Sequence, residues 1–365
     1  MIKAKRDQIL APLAAVSGII ERRHTLPVLS NVLIQHSGDA LAFLATDIEI
    51  QITARSALAG NGDSRLTAGA RKLLDILRAL PDEAEVTLQP QEKRLLLRAG
   101  KSRFTLQTLP AEDFPQLAKP AGEVTRFALA QKALRRLFGL VQYAMAQQDI
   151  RYYLNGLLMV VDGGELKVVA TDGHRLALAT LALGGSLPRQ EVILPRKTVV
   201  ELWKLLAESD DEVRIELSAT QASFSFGTVE LVSKLIDGKF PDYTRVIPTQ
   251  HKNRLRTQRE TLRQALQRAA ILSNEKFRGV RWVLSEGCLK IISSNAEQEE
   301  AQEELEVDYN GEALDIGFNV NYLLDVLNNV PGNEIECVFG DSSSSALFNY
   351  ASEKDFKYVV MPMRI

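Results

Sequence analysis

Apolar residues along this chain alternate between two periods. Six stretches space them three and four apart, which predicts amphipathic helices: Ile9, Leu10, Leu13, Val16 and Ile20; Leu73, Leu74, Ile76, Leu77 and Leu80; Leu134, Leu137, Phe138 and Val141; Val199, Val200, Leu202, Trp203 and Leu206; Leu262, Leu266, Ala269 and Ile271; Leu323, Leu324, Val326 and Leu327. Between them lie apolar runs of strand length. LPVLSNVLIQHSGDALAFLATD, YLNGLLMVVDGGELKVVATD and GVRWVLSEGCLKIISSN each set a glycine between two such runs, at Gly38, at Gly163 and Gly164, and at Gly287. A strand–turn–strand reading follows. Further strands are expected at EVTLQP, RLLLRAG and SRFTLQTLP, at RIELSA, ASFSFG and VELVSKLI, and at IECVFG, SALFNY and FKYVVMPM.

The order helix, strand pair, helix, strands occurs three times. Dipeptides mark the period: Thr46-Asp47 and Thr171-Asp172 are 125 residues apart, and Ser294-Asn295 follows after 123. Arg71-Lys72 is matched by Arg196-Lys197 and less closely by Asn321-Tyr322, and Phe114-Pro115 returns as Phe240-Pro241. A period of this length is a domain rather than a solenoid unit. We therefore expect an α+β chain of three tandem similar domains, each with two helices packed on antiparallel sheet, over residues 1–120, 121–248 and 249–365. Lys119-Pro120-Ala121-Gly122 and the polar stretch after Pro248 are the expected linkers.

Composition adds little against this picture. Hydrophobic residues make up 45% and charged residues 25% of the chain, and no apolar run approaches the roughly 18 residues a membrane helix needs. MIKAKRDQIL lacks a continuous apolar core or a small-residue cleavage site, so no signal peptide is read and a cytoplasmic location is expected. Cys288 and Cys337 lack metal-ligand spacing; no metal or cofactor is expected. The net charge of −2, from 44 basic and 46 acidic residues, argues against holding nucleic acid by bulk electrostatics. The partition of charge says more. Twelve basic residues fall in the six helical stretches (Arg71, Lys72, Arg78, Lys132, Arg135, Arg136, Arg196, Lys197, Lys204, Arg259, Arg263 and Arg268) against four acids (Asp75, Glu201, Glu260 and Asp325). Helices sharing one side of an assembly would offer a phosphate backbone a positive, sequence-independent surface.

HTLPVLSN at 24–31, QDIRYYLNG at 148–156, ATDGHRLA at 170–177, SKLIDGKFPDY at 233–243, AILSNEKFRGVR at 270–281 and YVVMPMRI at 358–365 make the whole chain resemble the bacterial sliding clamp, the β subunit of DNA polymerase III. The resemblance implies a head-to-tail homodimer whose six domains form a ring around double-stranded DNA, helices lining the hole. It implies a non-catalytic processivity factor without cofactors, bound through short peptides by the polymerase III alpha subunit, the clamp loader delta subunit, other polymerases and repair proteins.

It also assigns residues. Leu154, Thr171, Gly173, His174, Arg175, Leu176, Pro241, Arg245, Val246, Ser345, Val359, Val360, Met361, Pro362, Met363 and Arg364 are implied to form a peptide groove, with His174 and Arg175 toward its rim and Ser343 where some relatives carry an apolar residue. The paired methionines suit an adaptable apolar surface. Arg23, Arg71, Gln148, Tyr152, Tyr153, Arg196 and Lys197 are implied to face DNA. Lys101, Arg103, Phe104 and Leu106 are implied to meet Ile271, Leu272, Glu297, Glu299 and Glu303, together with Glu300 and Glu304, across the dimer; an edge strand of one sign is open to a partner of the other. Two rivals stand beside this reading: a monomeric peptide-binding scaffold, and a metal-dependent nuclease using Asp47, Glu49, Asp172 and His174. The third repeat offers Ser294 and Asn295 where the nuclease would need acids.

Overall fold

The computed structural model describes residues 1–21, 26–118, 122–351 and 353–365, apart from the side chains at 59–62 and 354. Arg23, part of HTLPVLSN and the linker residues Lys119, Pro120 and Ala121 lie outside the described residues. Six α-helices form where the apolar spacing places them: α1 (Arg6–Val16), α2 (Ala70–Ala79), α3 (Gln131–Val141), α4 (Arg196–Leu205), α5 (Arg259–Ala269) and α6 (Val320–Asn329). Their apolar stripes are buried, as with Leu73, Leu74 and Leu77 of α2 and Leu323, Val326 and Leu327 of α6. Asn319 starts α6 by accepting a hydrogen bond from the Asn321 amide at 2.9 Å. Ile271 is an exception. The last turn is a 3-10 turn over Ala270–Leu272, and it leaves Ile271 76% exposed instead of in the core.

By packing, the chain divides into two units, Met1–Leu134 with Lys197–Leu235, and Arg135–Arg196 with Ile236–Ile365. The first holds a six-stranded antiparallel sheet in the order Asn31–Thr46, Ile50–Gly69, Val229–Lys234, Gln221–Phe226, Glu212–Leu217, Thr125–Ala130, and a four-stranded sheet from Ile2–Lys5 to Ser102–Gln107. The second holds a seven-stranded sheet in which Glu353–Val360 lies beside Arg175–Pro195, and a four-stranded sheet edged by Glu300–Glu306. In both large sheets a ladder joins successive repeats, Val229–Lys234 to Ile50–Ala54 and Phe356–Val360 to Arg175–Ala179. Such ladders tie strands of one repeat to the next as firmly as to their own, so the units do not coincide with the repeats.

The glycines expected to reverse the chain do so only once. Glu286-Gly287 turns a hairpin, with Ser285 opposite Cys288. Gly38 and Gly163 instead mark register shifts inside continuous strands, Asn31–Thr46 against Ile50–Gly69 and Gly156–Thr171 against Arg175–Pro195. A reversal at Gly38 would pair the two halves of the strand with each other and strip Leu66–Gly69 of its ladder. The real reversals fall on the dipeptides that mark the repeat. Thr46 Oγ1 donates to Ile50 O and accepts from Ile48 N, while Asp47 Oδ1 accepts from the amides of Glu49 and Ile50. Thr171 and Asp172 repeat all four bonds with Arg175, Gly173 and His174. Asn295 Oδ1 caps the third turn from the amides of Glu297 and Glu299. The repeat is thus a repeated Asx turn.

Candidate functional site

The second of these turns opens a groove. Gly173 takes a φ of +90°, a left-handed conformation natural to glycine, and leaves the turn without a side chain at its tip. Beside it Val359 pairs with Leu176 and Val360 with Arg175. Alternation along the strand sends Val359, itself buried, to the face with Leu154, Leu176 and Phe240 and Val360 to the opposite, fully buried face. The chain then leaves the sheet, and the Met361 amide donates to His174 O at 2.9 Å. The result is a cavity of about 210 Å³ with mostly apolar walls. Leu154, Thr171, Gly173, His174, Arg175 and Leu176 line it from the second repeat. Pro241, Val246, Ser345, Val359 and Met361 line it as well.

Six groove assignments fall elsewhere. Val360 faces the core; Arg245 lies exposed in the turn Tyr243–Val246. Ser343 is exposed and bound with its own amide to Asp341 Oδ1, which also takes Ser344 and is held down to about 2 by these bonds. Pro362 does not line the cavity, and Met363 and Arg364 border a separate depression with Phe277 and Asn295. Conversely, Arg151, Phe240, Asp242 and Tyr243 line the groove without having been assigned. Their signal was available in QDIRYYLNG and in the repeated Phe-Pro, since Phe240 packs under the groove against Leu154, Leu158 and Val169 as Phe114 packs on Leu33 and Leu44.

The equivalent place in the first unit carries different side chains. There Lys234 N donates to Glu49 O at 2.9 Å, as Met361 does to His174, and Lys234 Nζ lies 3.1 Å from Glu49 Oε1. Gln51 Oε1 binds the Leu117 amide, drawing the following chain across. Ile48 holds the φ > 0 position that Gly173 occupies. An ion pair and an isoleucine stand there in place of methionine, histidine and glycine.

Arg175 is not a rim residue. Its side chain is 9% exposed; Nε donates to Asp172 Oδ2, Nη2 to Tyr143 O, and Nη1 pairs with Asp325 on α6. The guanidinium lies over the Tyr322 ring at 4.5 Å. Burial alone would lower its pKa, but Tyr358 and Asp325 raise it above the ordinary value. This cation ties the groove turn to α6. Arg175→Ala should therefore cost about 3 kcal/mol, toward the low end for breaking a buried pair because Asp325 keeps some water contact. Urea unfolding would measure it, and a loss below about 1 kcal/mol would show the pair to be marginal.

Among residues assigned to DNA, Arg71 Nη2 donates to Ile20 O and Arg196 Nη1 to Met145 O, at 3.2 and 3.1 Å. Each clamps the end of its repeat's first helix to the start of the second. Lys197 pairs with Asp47 and Glu21. Tyr153 packs under the groove, whereas Gln148 and Tyr152 are exposed on a loop stiffened by Asp149, which accepts three bonds from Arg151 and is held down to about 2. Ile150 at its tip, 96% exposed, was not assigned. At least six of the twelve helical cations (Lys132, Arg136, Lys197, Lys204, Arg263 and Arg268) are paired with carboxylates, which reduces the surplus counted from sequence. Among the described residues Lys72 and Arg78 have no carboxylate partner.

The edge residues divide similarly. Lys101 and Arg103 are exposed, Phe104 and Leu272 half-buried, and Glu297 and Glu299 exposed. Leu106 points into its own sheet's core. Glu303 takes both Nε and Nη2 of Arg268, at 2.9 and 2.6 Å, whose hydrogen bonds lower its pKa; Glu300 and Glu304 occupy the free face. The nuclease carboxylates are spent on the turns: Asp47 on two amides and Lys197, Asp172 on two amides and Arg175.

Two helices on antiparallel sheet, three times over, with sheets running through successive copies, define a DNA-clamp fold. Family models of the DNA polymerase III beta subunit match in succession, its N-terminal domain over residues 1–118, its central domain over 128–242 and its C-terminal domain over 244–364. The beta sliding clamp of Pseudomonas aeruginosa is 49% identical over 363 residues, 99% of each chain. That of Escherichia coli K12 is 46% identical over 362 residues, again 99% of each. A crystal structure of the DNA polymerase III subunit beta from Pseudomonas aeruginosa superposes with a TM-score of 0.96 at 48% identity, covering 100% of both chains. The chain belongs to the DNA polymerase III beta subunit family, and its function is that of a DNA sliding clamp.

Proposed function

We propose that two copies of this chain close head to tail into a ring of six domains, spanning 1–120, 121–248 and 249–365 in each, that encircles duplex DNA and has no catalytic activity of its own. One observation carries the reading. The last strand of the second repeat joins the long strand of the first, and the last strand of the third joins that of the second. The remaining pair of the series, basic Ser102–Gln107 and acidic Glu300–Glu306, stand at sheet edges. Pairing them between copies completes the same ladder a third time, and a heterologous contact that closes makes a ring rather than a filament. Lys101 and Arg103 then meet Glu300 and Glu304, with Glu297 and Glu299 on the adjoining turn, and Ile271 and Leu272 cover Phe104.

In this reading Lys72, Arg78, Gln148 and Tyr152 touch the DNA backbone, with Arg71 and Arg196 holding the helices in place. The groove takes apolar side chains from peptides of the polymerase III alpha subunit, the clamp loader delta subunit, other polymerases and repair proteins, in the cytoplasm. Retention is topological. Rings loaded on circular duplex should persist after a salt wash, whereas those on the same DNA linearised should slide off; equal loss from both would overturn encirclement.

A further inference from the structure

We propose that Gly279 and Gly317 form a shelf on which Ile365 and Met363 rest, and that this shelf, on the third repeat's four-stranded sheet, positions Met361 in the groove. The inference rests on the reading of the groove as a peptide site. The segment after Val360 is strung between two anchors: Met361 N donates to His174 O, and two residues on Met363 N donates to Gly317 O, both at 2.9 Å. Gly279 and Gly317 lie on neighbouring strands, Gly317 opposite Arg281 and Gly279 opposite Asn319. Neither has a side chain to keep the segment away. A Cβ on Gly317 would press into Met363 O and stand 2.7 Å from Ile365 Cδ1; one on Gly279 would stand 3.3 Å from the same atom. At 317 even alanine must push the segment off the strand.

Met361 contributes to the groove wall from outside the sheet ladder, which ends at Val360. Its direction is set by the two flanking hydrogen bonds, and the second depends on the close approach at Gly317. Ile365 is not among the residues lining the groove; it borders a separate depression with Phe277, Ser294 and Asn295. Gly317, Gly279 and Ile365 are thus positioning residues, and a peptide in the groove would sense them only through Met361.

Fluorescence anisotropy with a leucine-bearing acidic peptide, together with methyl spectra of the five methionines, tests this. Gly317→Ala and Ile365→Asp should each weaken binding about tenfold, with dimer mass and melting unchanged. They should shift the Met361 and Met363 methyl signals while Met145 and Met159 stay in place. Ile365→Val should restore near-normal affinity, and Met361→Ala should add nothing further in the Gly317→Ala chain. Full affinity in Gly317→Ala and Ile365→Asp, with Met361→Ala alone still weakened, would overturn the shelf. An unchanged Met361→Ala would overturn the groove reading itself, a result the methyl signals distinguish from loss of the shelf.

Discussion

Arg103→Glu combined with Leu272→Ala should convert the proposed dimer to single chains at nanomolar concentration. Wild type should sediment as two chains. The change acts on two independent terms. Leu272 is half-buried in one chain, beside Ile271 with 76% of its surface exposed, and a large apolar side chain so placed is explained by a partner covering it. Truncating a leucine buried in such a contact costs about 2–5 kcal/mol. Arg103 lies on an edge strand whose proposed partner carries Glu300 and Glu304 on its free face. A glutamate there replaces attraction by repulsion and restores the like-charge edge that keeps strands apart. Together the terms predict a dissociation constant raised at least about a thousandfold. Each single change should give part of the shift. A double variant that still sediments as two chains would sink the assigned interface, and a wild type sedimenting as one would favour the monomeric scaffold.

What the sequence disclosed and what it withheld divide along the range of the interactions involved. Helices were legible because their burial depends on residues three and four apart; Leu73, Leu74 and Leu77 needed no remote information. The turns were misplaced because Gly38-Asp39 is a strong local signal, whereas the ladder of Asn31–Thr46 is decided by residues up to Gly69. Thr46-Asp47 and Thr171-Asp172 were noticed as markers of the repeat before their purpose was visible: hydroxyl and carboxylate together close each turn. Charge was countable but its pairing was not. Arg136 meets Glu353 and Arg175 meets Asp325, partners 217 and 150 residues away. The same limit explains why Arg175 read as rim and proved a buried tie, and why Val360 and Val359, adjacent in sequence, proved to face opposite ways. Groove residues on the turn were found by resemblance; Arg151 and Tyr243 lay inside two of the same motifs, but only the folded chain puts their side chains on the groove wall.

Deletion of Met361 through Ile365 should abolish peptide binding and leave the proposed dimer intact. In the groove these five residues contribute Met361, which lines it together with Leu154, Leu176 and Val359 and extends the apolar wall beyond the end of the strand. A few buried anchors carry most of the energy of such contacts. Removing one wall exposes the peptide's leucine to water, so affinity should fall at least about a hundredfold, or ~2.7 kcal/mol. His174→Ala should do much less. Its ring is exposed and stacks on Tyr322 with centroids 6.5 Å apart, leaving the floor of Leu154 and Val359 in place when removed. The fold should survive the deletion, because the seven-stranded sheet is complete at Val360, and the edge strands Ser102–Gln107 and Glu300–Glu306 do not include the deleted residues. Anisotropy with a polymerase-tail peptide would measure the loss, and sedimentation of the same sample would confirm its mass. Unchanged affinity in a folded deletion variant with unaltered mass would place the partner site elsewhere on the chain, since no other wall of this groove could supply the missing contact.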